Sequence, residues 1–337
     1  MRVGVADRDS VRVKQLSRRL GVEGLVGSGE DEVVMGAARR AGVVAVALPG
    51  RVAYPVVRRL LEGGCRIVDV SFYPEDPWSL EPLASRTVYV PDAGLAPGLS
   101  SMLAARLDRV LGGAEYIDIY VGGVSRNPSA PLGLASAWSA EDLVDEYLRP
   151  ARMRLEGRLV SVDPLEYTGR VEVPGSGVFE YFASDGLRTL LRSLAHVPRL
   201  RELTLRYPGH VEAMRLLKSL GLLEEVVEVE GCRCPANLFL AAVLEKRLSG
   251  TGDRVVLYVE GGRGGRKAYY RLDMEGTVER NAMSITTGGF LSATAILVLR
   301  GMVSGFTPPE ELGMHYALFS ETLRLLEKAG IVLEAHA

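Results

Sequence analysis

Val43-Val44-Ala45-Val46-Ala47-Leu48-Pro49-Gly50 is the stretch from which the fold of this chain can be read. Five apolar residues in a row, closed by a Pro-Gly break, have the texture of a strand buried on both faces. The period then changes: Tyr54 to Glu62 reads as a helix, and Gly63-Gly64 stops it. Strand texture returns at Arg66-Ile67-Val68-Asp69-Val70 and again from Thr87 to Val90. Upstream, Arg2 to Ala6 is a strand candidate ending at Asp7-Arg8-Asp9, and Ser10 caps a helix running to about Leu20. Val22 to Val26 follows, closed by Gly27-Ser28-Gly29, and the next helix opens on Glu30-Asp31-Glu32, acids suited to the positive end of a helix dipole. Strands alternating with helices imply an α/β fold with a doubly wound parallel sheet.

Beyond about Ala114 the texture changes. Longer strand candidates (Tyr116 to Val121, Leu159 to Val162, Arg254 to Glu260, Lys267 to Asp273) follow one another without a helix after each. That is the mark of a separate α+β domain with a mostly antiparallel sheet. Helices return at Gly289 to Arg300, Pro309 to Met314 and Phe319 to Ala329. The division expected is residues 1–113 completed by 282–337, with 114–281 as the second domain. The Gly261 to Lys267 stretch has the glycines of a phosphate cradle, but strands flank it on both sides, so a hairpin loop is the reading preferred.

The composition excludes several classes. With 337 residues, 47% of them apolar, the chain can bury a large core. A net charge of -2 gives no reason to expect nucleic acid or an anionic membrane as partner. Three cysteines build no disulfide framework, and Cys232-x-Cys234 lacks a second pair at zinc spacing, so no metal is expected. No secretory signal is read, no apolar run is seen to approach the ~18 residues of a bilayer span, and a cytoplasmic protein is expected. Basic charge is nearly all arginine, with one glutamine and three asparagines, a depletion of amides that heat favours.

Several segments, taken in order, carry a resemblance. Ile67-Val68-Asp69-Val70-Ser71-Phe72-Tyr73-Pro74-Glu75 and Pro91-Asp92-Ala93-Gly94-Leu95-Ala96-Pro97-Gly98-Leu99-Ser100 resemble the nicotinamide-facing strand and the interdomain loop of saccharopine-dehydrogenase-like oxidoreductases. Ser136 to Leu143, Glu146 to Arg152, Ser184 to Arg188, Thr204 to His210, Thr286 to Phe290 and Pro308 to Met314 extend it, closest to the lysine 6-dehydrogenase branch. The resemblance implies a Rossmann-type dinucleotide domain, a substrate and dimerisation domain, a homodimer, and NAD-dependent oxidation of the ε-amine of L-lysine, with NADP not excluded. Saccharopine or carboxynorspermidine chemistry is the rival, as is a non-catalytic descendant that has lost its cofactor.

One feature departs from that family. An acidic residue at the end of the second strand should follow a G-x-G-x-x-G turn by about 20 residues. Asp7 holds that ribose-binding position with six residues ahead of it. Gly27-Ser28-Gly29 is no substitute, because Glu30, Asp31 and Glu32 would face the pyrophosphate. In the order 3-2-1-4-5-6 the missing strand is central. Either the natural chain starts further upstream, or the strand ending at Asp7 closes directly on Val43 to Ala47 and dinucleotide binding is lost. A bare gap is not expected, since each buried unpaired backbone group costs about 1–3 kcal/mol.

Candidate site residues follow from strand ends. Asp7 and Arg8, Leu48, Pro49 and Gly50, and Val70, Ser71 and Phe72 lie where a dinucleotide meets an open α/β sheet. Asp92 is the first choice for a polar group near the reacting amine, with capping of a helix near Pro97 as its alternative role. His210, in a Pro-Gly-His turn, suits proton transfer or is a structural histidine. Arg149, Arg188 and Arg206 are candidates to fork onto a substrate carboxylate, and Trp138 and Tyr207 to line the aliphatic slot. Asp185 is expected to pair with Arg188 one turn away.

Overall fold

The computed structural model describes residues 2–135, 140–248 and 252–336. It divides into two compact units, residues 1–93 with 291–308, and 94–290 with 309–337. The sequence boundary at 113 differs because the helix Leu99–Leu111 packs on the strand Asp253–Arg263 and the helix Pro309–Met314, and so belongs to the second unit.

In the first unit β1 (Gly4–Asp7), α1 (Ser10–Leu20), β2 (Glu23–Val26), α2 (Glu32–Arg40), β3 (Val44–Val46), α3 (Gly50–Glu62), β4 (Ile67–Asp69) and β5 (Val88–Val90) succeed one another. The alternation read from the sequence is present, with one change at a cap: Asp9, not Ser10, accepts the amides of Val11 and Arg12. The parallel sheet, however, is in two pieces. β1 pairs with β2 alone, while β3, β4, β5 and the short strand Gly305–Phe306 form a second parallel sheet. Among the described residues β1 does not pair with β3, so the sheet has not closed on itself.

The gap that the sequence argument disfavoured is therefore present, for a physical reason. Gly4, Ala6 and Asp7 are exposed and Val5 is half-buried, so the open backbone of β1 meets water rather than an apolar interior. β3 is corrected too. Ala45 is exposed and Val44 half-buried, because burial on both faces needs neighbours on both sides. What fastens β1 and β2 to the rest is α2. Met35 is buried with Val46, Val57 and Leu60, and Arg59 on α3 donates to the Glu30 carbonyl at 2.7 Å and to Glu32 at 2.5 Å.

The second unit is built on a nine-stranded mixed sheet. Its main path runs Glu334–His336, Arg266–Glu275, Asp253–Arg263, Tyr116–Ser125, Arg199–Arg206, Gly177–Ala183 and Thr168–Val173, with the hairpin Ala151–Leu155 and Arg158–Val162 attached to Arg199–Arg206. Most neighbours are antiparallel, and Arg199–Arg206 runs parallel to Tyr116–Ser125. The glycine-rich stretch is a hairpin: Arg263 pairs with Arg266 across Gly264 and Gly265, both left-handed. The helix Ala282–Leu299 corrects the reading of apolar runs. It has eighteen residues without a charge and a mean hydropathy of 1.7, and is by length and composition alone able to cross a membrane. Its interspersed Ser, Thr and Gly hide the run from the eye. Phe290, Ala293, Leu297 and Val298 on it are buried within the protein.

Candidate active site

The carboxyl ends of β3, β4 and β5 are stitched together by short polar contacts. The Val70 amide donates to the Val46 carbonyl at 3.0 Å, and the Ala93 amide to the Asp69 carbonyl at 2.7 Å. The Leu48 amide donates to the Ser71 hydroxyl at 3.0 Å, and the Ser71 amide to Asp69 Oδ1 at 2.8 Å. At Gly50 the start of α3 lies against the backbone after β4; a Cβ there would sit 1.9 Å from the Phe72 carbonyl oxygen, so only glycine fits. Leu48, Gly50, Val70, Ser71, Phe72 and Asp92 are thus brought together in one unit, with exposed Pro49 beside them.

Two carboxylates are buried there. Asp69 is fully buried and Asp92 is 3% exposed. Asp92 has a φ of 51°, a left-handed backbone that Asp and Asn tolerate better than most residues. It does not cap the following helix, whose N-cap is Gly98. Burial pushes the Asp69 carboxyl up to about 7, against hydrogen bonds from Ser71 that lower it and with the Asp92 charge raising it further. The Tyr89 hydroxyl donates to Asp69 Oδ2 at 3.4 Å and is itself hydrogen-bonded to the Tyr73 hydroxyl. Asp69, Tyr73 and Tyr89 escaped the reading of the sequence. The available signal was a lone carboxylate inside the apolar run Ile67-Val68-Asp69-Val70.

Asp7 and Arg8 lie at the end of β1, exposed, with Asp7 Oδ1 accepting the Asp9 amide at 2.8 Å. A dinucleotide would find its ribose partner in Asp7, but the described residues supply no cradle for its pyrophosphate, and the Leu48 and Ser71 amides are already donated to the Ser71 hydroxyl and to Asp69. The Gly27-Ser28-Gly29 turn cannot serve. Its Ser28 amide donates to Asp31 Oδ2 at 2.7 Å and its Glu30 amide to the Ser28 hydroxyl at 3.1 Å, so the donors are spent internally. Among the described residues the fit is to the adenosine ribose and not to the pyrophosphate.

The second unit gathers other candidates, with a different result. Arg206 is fully buried; its Nη2 donates to Glu146 at 2.8 Å and its Nη1 to the Leu205 carbonyl at 2.9 Å. His210 Nδ1 faces the Leu132 carbonyl at 2.8 Å and therefore carries the proton, leaving Nε2 to accept from the Tyr147 hydroxyl at 2.7 Å. Burial, helped by the Arg206 charge, pushes His210 down to about 3. A neutral imidazole with both nitrogens occupied is not a base in waiting, so His210 is corrected to a structural histidine. Arg206 is likewise corrected, because its fork is committed to Glu146. Tyr207 stacks on Phe179 with ring centroids 5.7 Å apart and donates to the Ser125 carbonyl at 3.0 Å. Glu146 and Tyr147, the centre of this knot, were missed because their partners lie some sixty residues away.

Arg149 is half-buried, in the turn following Ala140–Asp145. Arg188 is 7% exposed with a φ of 38°, a strained conformation of the kind that clusters at functional positions. It does not take Asp185, whose carboxylate is held by Arg152 through Nε at 2.9 Å and Nη2 at 2.8 Å. Between them Gly186 crosses Glu202 so closely that a Cβ would meet its Oε1 at 1.6 Å. Trp138 lies outside the described residues. Among the described residues no group of three or more His, Cys, Asp or Glu could hold a metal ion.

Comparison with known proteins gives this geometry a setting. The apo histidine-tagged saccharopine dehydrogenase (L-Glu forming) from Saccharomyces cerevisiae is similar with a TM-score of 0.79 at 18% identity, over 100% of this chain and 94% of that one, which shows a shared fold. An engineered D-amino acid dehydrogenase bound to NADP+ (TM-score 0.41, 14% identity, 92% and 94% covered) is far looser. So is the C. glutamicum DAP dehydrogenase in complex with DAP (TM-score 0.41, 13% identity, 92% and 93% covered). The model of the saccharopine dehydrogenase C-terminal domain matches residues 94–331, well over half of the chain. The chain accordingly belongs to the saccharopine dehydrogenase C-terminal domain family.

Proposed function

We propose that the protein is an amino-acid oxidoreductase of lysine 6-dehydrogenase type, taking hydride from the carbon that bears the ε-amine of L-lysine, with NAD as the oxidant. The observation that carries the reading is Asp92, a buried carboxylate on a left-handed residue at the carboxyl end of β5, beside buried Asp69. A protein that oxidises an amine must first take a proton from its ammonium, and a carboxylate in low dielectric draws the cation in and accepts that proton.

The nicotinamide group, when bound, supplies the hydride acceptor. This chain's own residues supply the rest: Leu48 and Ser71 form a rigid floor at the strand ends, and Asp92 holds the proton. The reading is tested by following reduction of NAD at elevated temperature with L-lysine, saccharopine and carboxynorspermidine in parallel. Lysine-dependent reduction that disappears in Asp92→Asn supports it. Turnover of either bulkier secondary amine in preference to lysine refutes the lysine assignment.

A further inference from the structure

We propose that the face of the nine-stranded sheet turned away from the helices docks a second copy of this chain, the same stripe of side chains meeting across a twofold axis.

The argument begins with the period of the strands. Successive side chains point to opposite faces of a sheet. Gly261 and Ile117 look toward the helix Leu99–Leu111, since a Cβ on Gly261 would meet Leu111 at 3.3 Å and Ile117 at 3.4 Å. Tyr270 packs on Phe319 of the helix Tyr316–Lys328, and Glu180 takes the Val211 amide at the start of the helix His210–Ser219. Residues of the other parity, among them Tyr120, Tyr181, Tyr258, Glu260 and Tyr269, therefore point to the opposite face.

There the rings form one stripe across the strands. Tyr181 packs on Tyr120 with centroids 5.7 Å apart, Tyr120 on Tyr258 at 6.0 Å, Tyr258 on Tyr269 at 5.3 Å and Tyr269 on His336 at 5.3 Å. Tyr181 and Tyr269 are half-buried and His336 is exposed. Tyrosine offers a large contact area for little side-chain entropy, and it is enriched where binding energy concentrates. The seven strands of the main path, about 4.8 Å apart and about 20 Å long, present roughly 600 Å² in projection. Side-chain relief brings that near the ~800 Å² per partner of a stable dimer.

Charge identifies the partner. Glu260, Asp118 and Arg201 are register neighbours on three adjacent strands, so an acid lies to one side of the strand Tyr116–Ser125 and arginine to the other. Asp118 is held within the chain, by Arg199 at 2.9 Å and Arg201 at 2.6 Å, while Glu260 receives the Tyr258 hydroxyl at 3.1 Å. A twofold axis along Tyr116–Ser125, in the plane of contact, exchanges the two sides. Each copy's Glu260 then lies over Arg199 and Arg201 of the other. A row that complements itself in this way suits a second copy, whereas a nucleic acid or any partner of one charge would meet half of the row with the wrong sign.

The test is sedimentation of the full chain over a range of concentrations, with urea unfolding of each variant to separate loss of contact from loss of fold. The expected mass is twice the 36.5 kDa of one chain. Glu260→Arg sets arginine over arginine in both halves of the contact and should raise the dimer Kd about tenfold or more, with Glu260→Gln intermediate. Glu212→Arg, on the helix His210–Ser219 of the other face, should leave the Kd unchanged. A protein that stays at the mass of one chain up to about 100 μM overturns the proposal. So does a dimer that ignores Glu260→Arg, or one that Glu212→Arg weakens equally.

Discussion

Replacing Asp69 by Asn is expected to stabilise the protein at pH 8 and destabilise it at pH 4. Burial holds the carboxyl at about 7 in the folded chain, against an ordinary value of 3.8. A raised acid binds its proton more tightly when folded, so it costs nothing below about pH 4, and the cost grows as the pH rises through the folded value. At about 1.4 kcal/mol per unit, a shift of roughly three units amounts to about 4 kcal/mol above neutrality. Asn escapes that cost. It still accepts from the Ser71 amide through its carbonyl, but it turns an NH2 toward the Tyr89 hydroxyl, and rearranging the tyrosine pair costs about 1–3 kcal/mol. The balance is a gain of about 1–3 kcal/mol at pH 8 and a loss of similar size at pH 4.

Urea unfolding at several pH values reads this directly. Trp78 packs on Phe306 with ring centroids 4.7 Å apart in the first unit, and the chain has one other tryptophan. A Trp138→Phe background makes Trp78 fluorescence a reporter of that unit alone. A stability difference between Asp69→Asn and its parent that is the same at pH 4 and pH 8 would refute the burial argument.

Two further outcomes follow from the second unit. Glu146→Ala strands the fully buried Arg206 guanidinium and should cost about 3–5 kcal/mol, read as a fall in the urea midpoint, whereas Arg206→Met with Glu146→Gln should recover most of it. His210 should remain neutral with its proton on Nδ1 throughout pH 5 to 9, visible in nitrogen NMR of the imidazole; a midpoint near 6.5 would contradict the assigned hydrogen bonds.

What was legible in the amino-acid order was whatever depends on near neighbours. The alternation of β3, α3 and β4 could be read because period and turn residues are local properties, and so could the hairpin at Gly264-Gly265. Burial was less legible, because it belongs to a residue's surroundings: Ala45 sits in a run as apolar as any core strand and is nonetheless exposed. Charge partners were the least legible. Asp185 is one turn from Arg188 in sequence, yet its ion pair is with Arg152, 33 residues upstream, and the turn at Pro208-Gly209-His210 gives no hint that Tyr147 and Leu132 will occupy both nitrogens. Asp69 was visible as an oddity in an apolar strand, but its neutral-range titration needed the depth of β4 and the nearness of Asp92 to be known.

The divided parallel sheet bears on how the molecule behaves in company. A strand whose outer side carries unpaired amides and carbonyls is a template for any other extended chain, and natural proteins blunt such sides with charge, shortness or cover. β1 is four residues long and β3 three, both near the lower limit for a strand, and Arg2, Asp7 and Glu23 put charge around β1 and β2, including an exposed Arg2–Glu23 pair at 3.8 Å. Val3, Val26 and Val33, all at least half exposed, pull the other way. Among the described residues, self-association through these few positions is held off by brevity and charge rather than by cover, and high salt, which screens the charges, removes one of the two restraints.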